Sequence, residues 1–215
     1  MSLQTTETSA GRAAKRVRST TVPDLLFSTR VISVATGGML RDSKPLTSLR
    51  DSGMPPVPPD RPSVTVIDLG AATLTPGVLQ DLVVPLGQQV RAGVYGQMNV
   101  VFSSADPVTQ NFVGMIAAAN DLALYVTFSP ENLLGARPVG NLTPMEYQTL
   151  VVLAAMGGTT TAAGLAQHLE IDQTTAGNRL VGLSRKGFIQ RLPRPRPGGD
   201  LFVDPRSVPL HSSLF

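Results

Sequence analysis

The chain has 215 residues, no cysteine and a formal net charge of +3. That length accommodates one large domain or two small ones, each with its own core. The absence of cysteine excludes disulfides, thiolate catalysis, iron–sulfur clusters and Cys-ligated zinc, and so small a net charge points to no partner by itself.

Charge distribution says more. Residues 1–62 carry nine Lys/Arg against five Asp/Glu, residues 63–140 two against five, and residues 141–215 seven against five. An acidic middle between two basic ends argues for separate jobs along the chain. No charged-then-apolar leader opens it and no apolar run approaches the ~18 residues of a membrane helix. A cytoplasmic protein without membrane contact is therefore expected.

Residues 1–21 are small and polar around the cluster Arg12, Lys15, Arg16 and Arg18. They read as a disordered basic tail, either merely solvated or adding phosphate contacts to a neighbouring DNA-binding domain. Residues 22–62 begin with Val22, Leu25, Leu26, Phe27, Val31, Ile32 and Val34, a pattern that suits a helix or a strand equally. They end in a stretch with Pro55-Pro56 and Pro58-Pro59, which reads as an extended, semi-stiff linker.

Residues 63–134 alternate between the two periods. Val64–Leu69 is a β run. Thr75-Pro76 starts a helix with Val78, Leu79, Leu82, Val83, Leu86 and Val90 on one face, and Pro85 within it predicts a kink or break. Gln97–Phe102 is a second strand. Asp106-Pro107 starts a second helix, and Leu122–Phe128 is a third strand. This β-α-β-α-β order predicts a small, mostly parallel α/β domain of three or four strands. Pro130, Gly135, Pro138 and Gly140 mark the boundary behind it.

Residues 141–206 carry the clearest pattern, with a short tail at 207–215. Thr143-Pro144-Met145-Glu146 has the elements of a capping box, and Gly157-Gly158 closes the helix that follows. Thr161 and Asp172 cap two further helices. Phe188–Leu192 and Leu201–Val203 then flank the loop Pro193-Arg194-Pro195-Arg196-Pro197-Gly198-Gly199-Asp200. Three helices and a two-stranded ribbon with a basic tip are the plan of a winged helix-turn-helix, which presents one helix to a DNA major groove. On the third helix Gln173, Thr174, Thr175, Asn178 and Arg179 are types that read base edges or hold phosphates. Arg185, Lys186 and Arg191 follow, and they suit either phosphate contact or the helix C-terminal dipole. Proline spacing holds Arg194 and Arg196 in an extended wing within reach of a minor groove.

The stretch Thr143–Asp204 resembles the MarR-like branch of winged-helix transcriptional regulators. The likeness rests on the Leu142–Glu146 opening, the Thr174–Leu180 helix and the run Leu183–Arg191. It implies reading by Gln173–Arg179 and wing contact by Arg194 and Arg196. The long dimerisation helices of that family have no counterpart here. The α/β segment in turn resembles STAS-like domains, which act through protein contact, and Ser103-Ser104 stand where some such domains accept phosphate.

No catalytic constellation is legible. Gly-x-Gly-x-x-Gly and Gly-Lys-Ser/Thr loops are missing. Asp68, Asp106 and Asp121 stand where Asp commonly caps, and His168 and His211 make neither a triad nor a zinc site. The expectation is a non-enzymatic regulator without metal or cofactor. It would bind double-stranded DNA as a homodimer, with the α/β domain dimerising, sensing a ligand or docking a protein. An adaptor or an architectural DNA-binding protein is the alternative.

Overall fold

A computed structural model of the protein describes residues 28–33, 39–40, 63–94, 98–193 and 199–207. The basic tail, all of the Pro-rich stretch, Arg194 and Arg196 of the wing, and residues 208–215 lie outside the described residues.

The first half is a five-stranded sheet in the order β1-β3-β5-β6-β7, and a short pair joins β2 to β4. Its strands are β1 (Ser28–Ser33), β3 (Ser63–Asp68), β5 (Met98–Ser103), β6 (Ala123–Thr127) and β7 (Arg137–Gly140). The short pair is β2 (Met39–Leu40) and β4 (Thr73–Leu74). Neighbours β1, β3, β5 and β6 run parallel, and β7 returns antiparallel along β6. The sheet thus exceeds the expected four strands at both edges. At one edge β1 resolves an ambiguous segment as strand; at the other β7 occupies a stretch read as a boundary. Pro138 and Gly140 disguise β7, but an edge strand tolerates proline because one side of its backbone needs no partner. Gly140 is required there: its φ is +123°, and a Cβ would collide with the carbonyl oxygen of Leu122.

Strands added in one direction place successive crossover helices on the same face. Accordingly α1 (Pro76–Arg91) and α2 (Pro107–Ala119) both pack against Ile67, Val100, Phe102, Leu124 and Val126. Pro85 does not break α1. It forfeits one backbone hydrogen bond, but Leu82, Val83 and Leu86 around it are buried, and that anchorage offsets a cost of about 3 kcal/mol. Asp106 caps α2 through the amides of Val108 and Thr109.

The alternate residues of the same strands, Val64, Val66, Val101 and Tyr125, point to the other face. There they share a second core with Leu150, Leu153, Leu165, Leu180, Leu183, Phe188 and Phe202. Those partners belong to the C-terminal elements: α3 (Pro144–Ala155), β8 (Thr159–Thr160), α4 (Ala162–Leu169), α5 (Gln173–Lys186), β9 (Gln190–Leu192) and β10 (Leu201–Val203), with a 3-10 turn at Pro205–Ser207. The C-terminal module is thus the layer that the one-sided crossovers leave missing. Its ribbon has three strands, β8-β10-β9, rather than two; β8, two residues between a Gly pair and a helix cap, is too short to show a period.

Polar links fasten the two layers. Asn99 Nδ2 donates to the Gly187 carbonyl at 2.6 Å, Tyr125 Oη to that of Phe188 at 2.8 Å, and Gln190 Nε2 to that of Ser63 at 2.8 Å. The Arg206 guanidinium lies 5.5 Å from the Tyr125 ring centroid, is paired with buried Asp204, and donates to the Leu150 carbonyl at 3.0 Å. Each satisfies groups that burial would otherwise penalise.

Candidate nucleic-acid interface

The third helix of the C-terminal module, α5, begins at Asp172. The carboxylate of that residue accepts from the Thr175 amide at 2.7 Å and from the Thr175 hydroxyl. Those bonds, the hydroxyl first, hold the Asp172 carboxyl below its ordinary pKa, so it is an anion at neutral pH. A carboxylate here complements the helix dipole but repels phosphate.

Ala176, Leu180 and Leu183 form the buried stripe of α5. At 100° per residue the opposite pole falls on Thr174, Asn178 and Arg185, and all three are exposed. Gln173 is exposed as well. Among the described residues Arg185 takes part in no ion pair. The structure thus brings Gln173, Thr174, Asn178 and Arg185 onto accessible surface about four turns long.

The other predicted residues fall elsewhere. Thr175 is half-buried and its hydroxyl serves the cap. Arg179 lies on the flank, half-buried, with Nε enclosed and lacking a hydrogen-bond partner. Lys186 reaches back to α3, pairing with Glu146 at 2.9 Å and donating to the Asn141 carbonyl at 3.1 Å. Arg194 and Arg196 lie outside the described residues. At the base of the wing Arg191, exposed, pairs with Asp200, the residue before β10, a brace across the hairpin. No spacing rule in the sequence links those two; only the hairpin register does.

Sequence candidates for other chemistry are occupied structurally. Asp106 is a cap. Asp121 pairs with Arg91 at 2.9 Å and accepts from Asn141. The side chains of Ser103 and Ser104 are buried, so neither hydroxyl stands ready for a modifying enzyme, and Ser104 Oγ accepts from the Asp106 amide. Among the described residues no group of three His, Asp or Glu could hold a metal ion. No helix among them is long and apolar enough to cross a membrane.

Helices α3, α4 and α5 with the ribbon β8-β10-β9 define a winged helix-turn-helix module, in which α5 occupies the position of the reading helix. Residues 141–198 match the MarR family. The match takes in α3, α4, α5 and β9, and includes neither β10 nor the five-stranded sheet. No curated protein matches the chain.

Proposed function

We propose that the protein is a transcriptional regulator that binds double-stranded DNA through its winged helix and selects sequence with the outward face of α5. The observation carrying this reading is the exposure of Thr174, Asn178 and Arg185 along one line, on the side of α5 away from the shared core. Asn pairs with adenine and Arg with guanine in the major groove, and Thr contacts either base edges or a thymine methyl. The match of residues 141–198 to the MarR family supports it. In this reading Arg179 and the wing residues Arg194 and Arg196 add backbone contacts, and the sheet acts as a rigid mount. The reading includes a homodimer formed through the α/β domain, with half-sites about one helical turn apart.

Selection of a random duplex library by the purified chain at two salt concentrations tests this. Enrichment of a motif supports the reading, and a pseudo-palindrome supports the dimer. Salt-sensitive retention without a motif replaces selective reading by architectural binding. No retention at either salt rejects DNA as the partner.

A protein partner is the second reading, and α3 favours it. Met145, Tyr147 and Val151 are each about half exposed on a helix with a single acidic side chain, a composition suited to apolar contact.

A further inference from the structure

At the junction of the two layers, a cleft of about 420 Å³ opens between the C-terminal ends of α1 and α5 and the start of the wing. Arg91, Arg185, Lys186 and Arg191 line it, from three separate elements, and among the described residues no carboxylate does. Like charges gathered around a recess raise its potential and favour an anion there. Three of the cations hold carboxylates placed outside the lining: Asp121, Glu146 and Asp200. The Arg91 and Arg191 pairs are of the partly exposed kind that contributes little, so they yield to a competing anion, whereas Lys186 keeps its more enclosed Glu146.

The wall supplies a second observation. Asn99, 2% exposed, lines the same cleft and spends its Nδ2 on the Gly187 carbonyl. Its Oδ1 is buried and accepts no hydrogen bond. A buried acceptor left unmet is unfavourable, and a hydroxyl or amine that displaced the cleft wall enough to reach it would relieve that cost. Met98 and Ile189 add apolar wall. A volume of this size is in the range of small-molecule sites.

We propose that this cleft binds a small organic anion, one bearing a carboxylate or phosphate for the cations and a hydroxyl or amine for Asn99. Arg185 belongs both to the cleft and to the outward face of α5. Occupancy therefore draws that cation inward and weakens duplex binding, a consequence that rests on the DNA reading. Anion binding itself does not.

Calorimetric titration of the full chain with citrate and with glycerol 3-phosphate, at ionic strength matched by chloride, tests the site. Saturable binding with one site per chain is expected, with a rise in melting temperature as mass action requires. The double variant Arg91→Gln/Arg185→Gln should lose about tenfold or more in affinity, while Arg137→Gln, removing an exposed cation remote from the cleft, should not. A melting temperature of the double variant in chloride close to the parent's establishes that its fold is intact. No saturable binding of either probe, or equal affinity in the double variant, overturns the proposal. If neither probe binds but the double variant weakens duplex retention, the cleft is a backbone contact instead, which also overturns it. Failure to retain any duplex, with probe binding intact, rejects the DNA reading and leaves this site standing.

Discussion

The Tyr125 hydroxyl donates to the carbonyl of Phe188 at 2.8 Å, and the two rings meet edge to face with centroids 6.0 Å apart. One residue belongs to the central sheet; the other follows the C-cap of α5, so this pair joins the sheet to α5. Burial first, and then the nearby Asp204 carboxylate, push the Tyr125 phenol well above its ordinary pKa. The group remains a neutral donor throughout the physiological range.

Replacing Tyr125 by Phe keeps the ring contact and orphans the Phe188 carbonyl. A loss of about 1–3 kcal/mol in unfolding free energy is expected, read as a lower urea midpoint at unchanged slope. Because Val64, Val66 and Val101 share a core with Leu150, Leu180 and Phe202, both halves should unfold in one transition. Far-UV and near-UV dichroism that separate into two transitions would contradict the shared core.

Gly140→Ala tests the last residue of the sheet. The substitution forces an L side chain to φ of +123° and drives its Cβ against the Leu122 carbonyl. Destabilisation of at least about 2 kcal/mol is expected, whereas Gly182→Ala, in an open stretch of α5, should be neutral or stabilising. Thermal melts of the two variants side by side decide this; equal melting temperatures would mean that the β7 geometry is wrong.

Much of this architecture is legible in the sequence because its signals are local. The cap residues Asp106, Thr143, Thr161 and Asp172 each act within three positions, and each caps the helix expected of it. The helical and strand periods of residues 63–128 are likewise contained within single elements. What stays hidden depends on partners far apart. Strand β7 carries Pro138 and Gly140, and only pairing with β6 makes it a strand. Val64, Val66 and Tyr125 announce burial without saying against what. In the sequence Lys186 suits phosphate contact or the helix C-terminal dipole, and its ion pair with Glu146, 40 positions earlier, shows only in the fold. The outward face of α5 fares similarly: Thr174 and Thr175 are equivalent in the sequence, and only the register of α5 assigns one to the surface and the other to the cap.

Glu146 gives the winged helix a pH dependence. Burial raises its pKa, but hydrogen bonds from Lys186 and from Thr143 outweigh that and hold it below the ordinary glutamate value. A folded pKa below the unfolded one means stability that is present above about pH 4.3 and lost as pH falls through the depressed folded value. Glu146→Gln, which keeps an acceptor for the Thr143 amide but removes the charge facing Lys186, should cost up to about 1 kcal/mol at pH 7. The gap between parent and variant should shrink in acid. A gap that is constant from pH 7 to pH 3 would show that the carboxylate charge is not what matters.

Arg185 and Lys186 are adjacent and both basic, yet the geometry gives them different roles. Arg185 lies at the outward pole of α5 without an ion pair among the described residues, while Lys186 ties α5 to α3 through Glu146 and the Asn141 carbonyl. Arg185→Ala should leave the melting temperature within a degree or so, since unpaired surface substitutions usually change stability by less than about 0.5 kcal/mol. It should weaken duplex binding and, if the contact is to a phosphate, reduce the slope of log affinity against log salt by about one. Lys186→Ala should do the reverse. It should lower the melting temperature by a few degrees, because it removes the partner of a largely enclosed carboxylate, and leave the salt slope unchanged. Measuring both quantities on both variants separates the reading face from the brace behind it. Equal losses of affinity in the two would mean that α5 presents a different face to its partner.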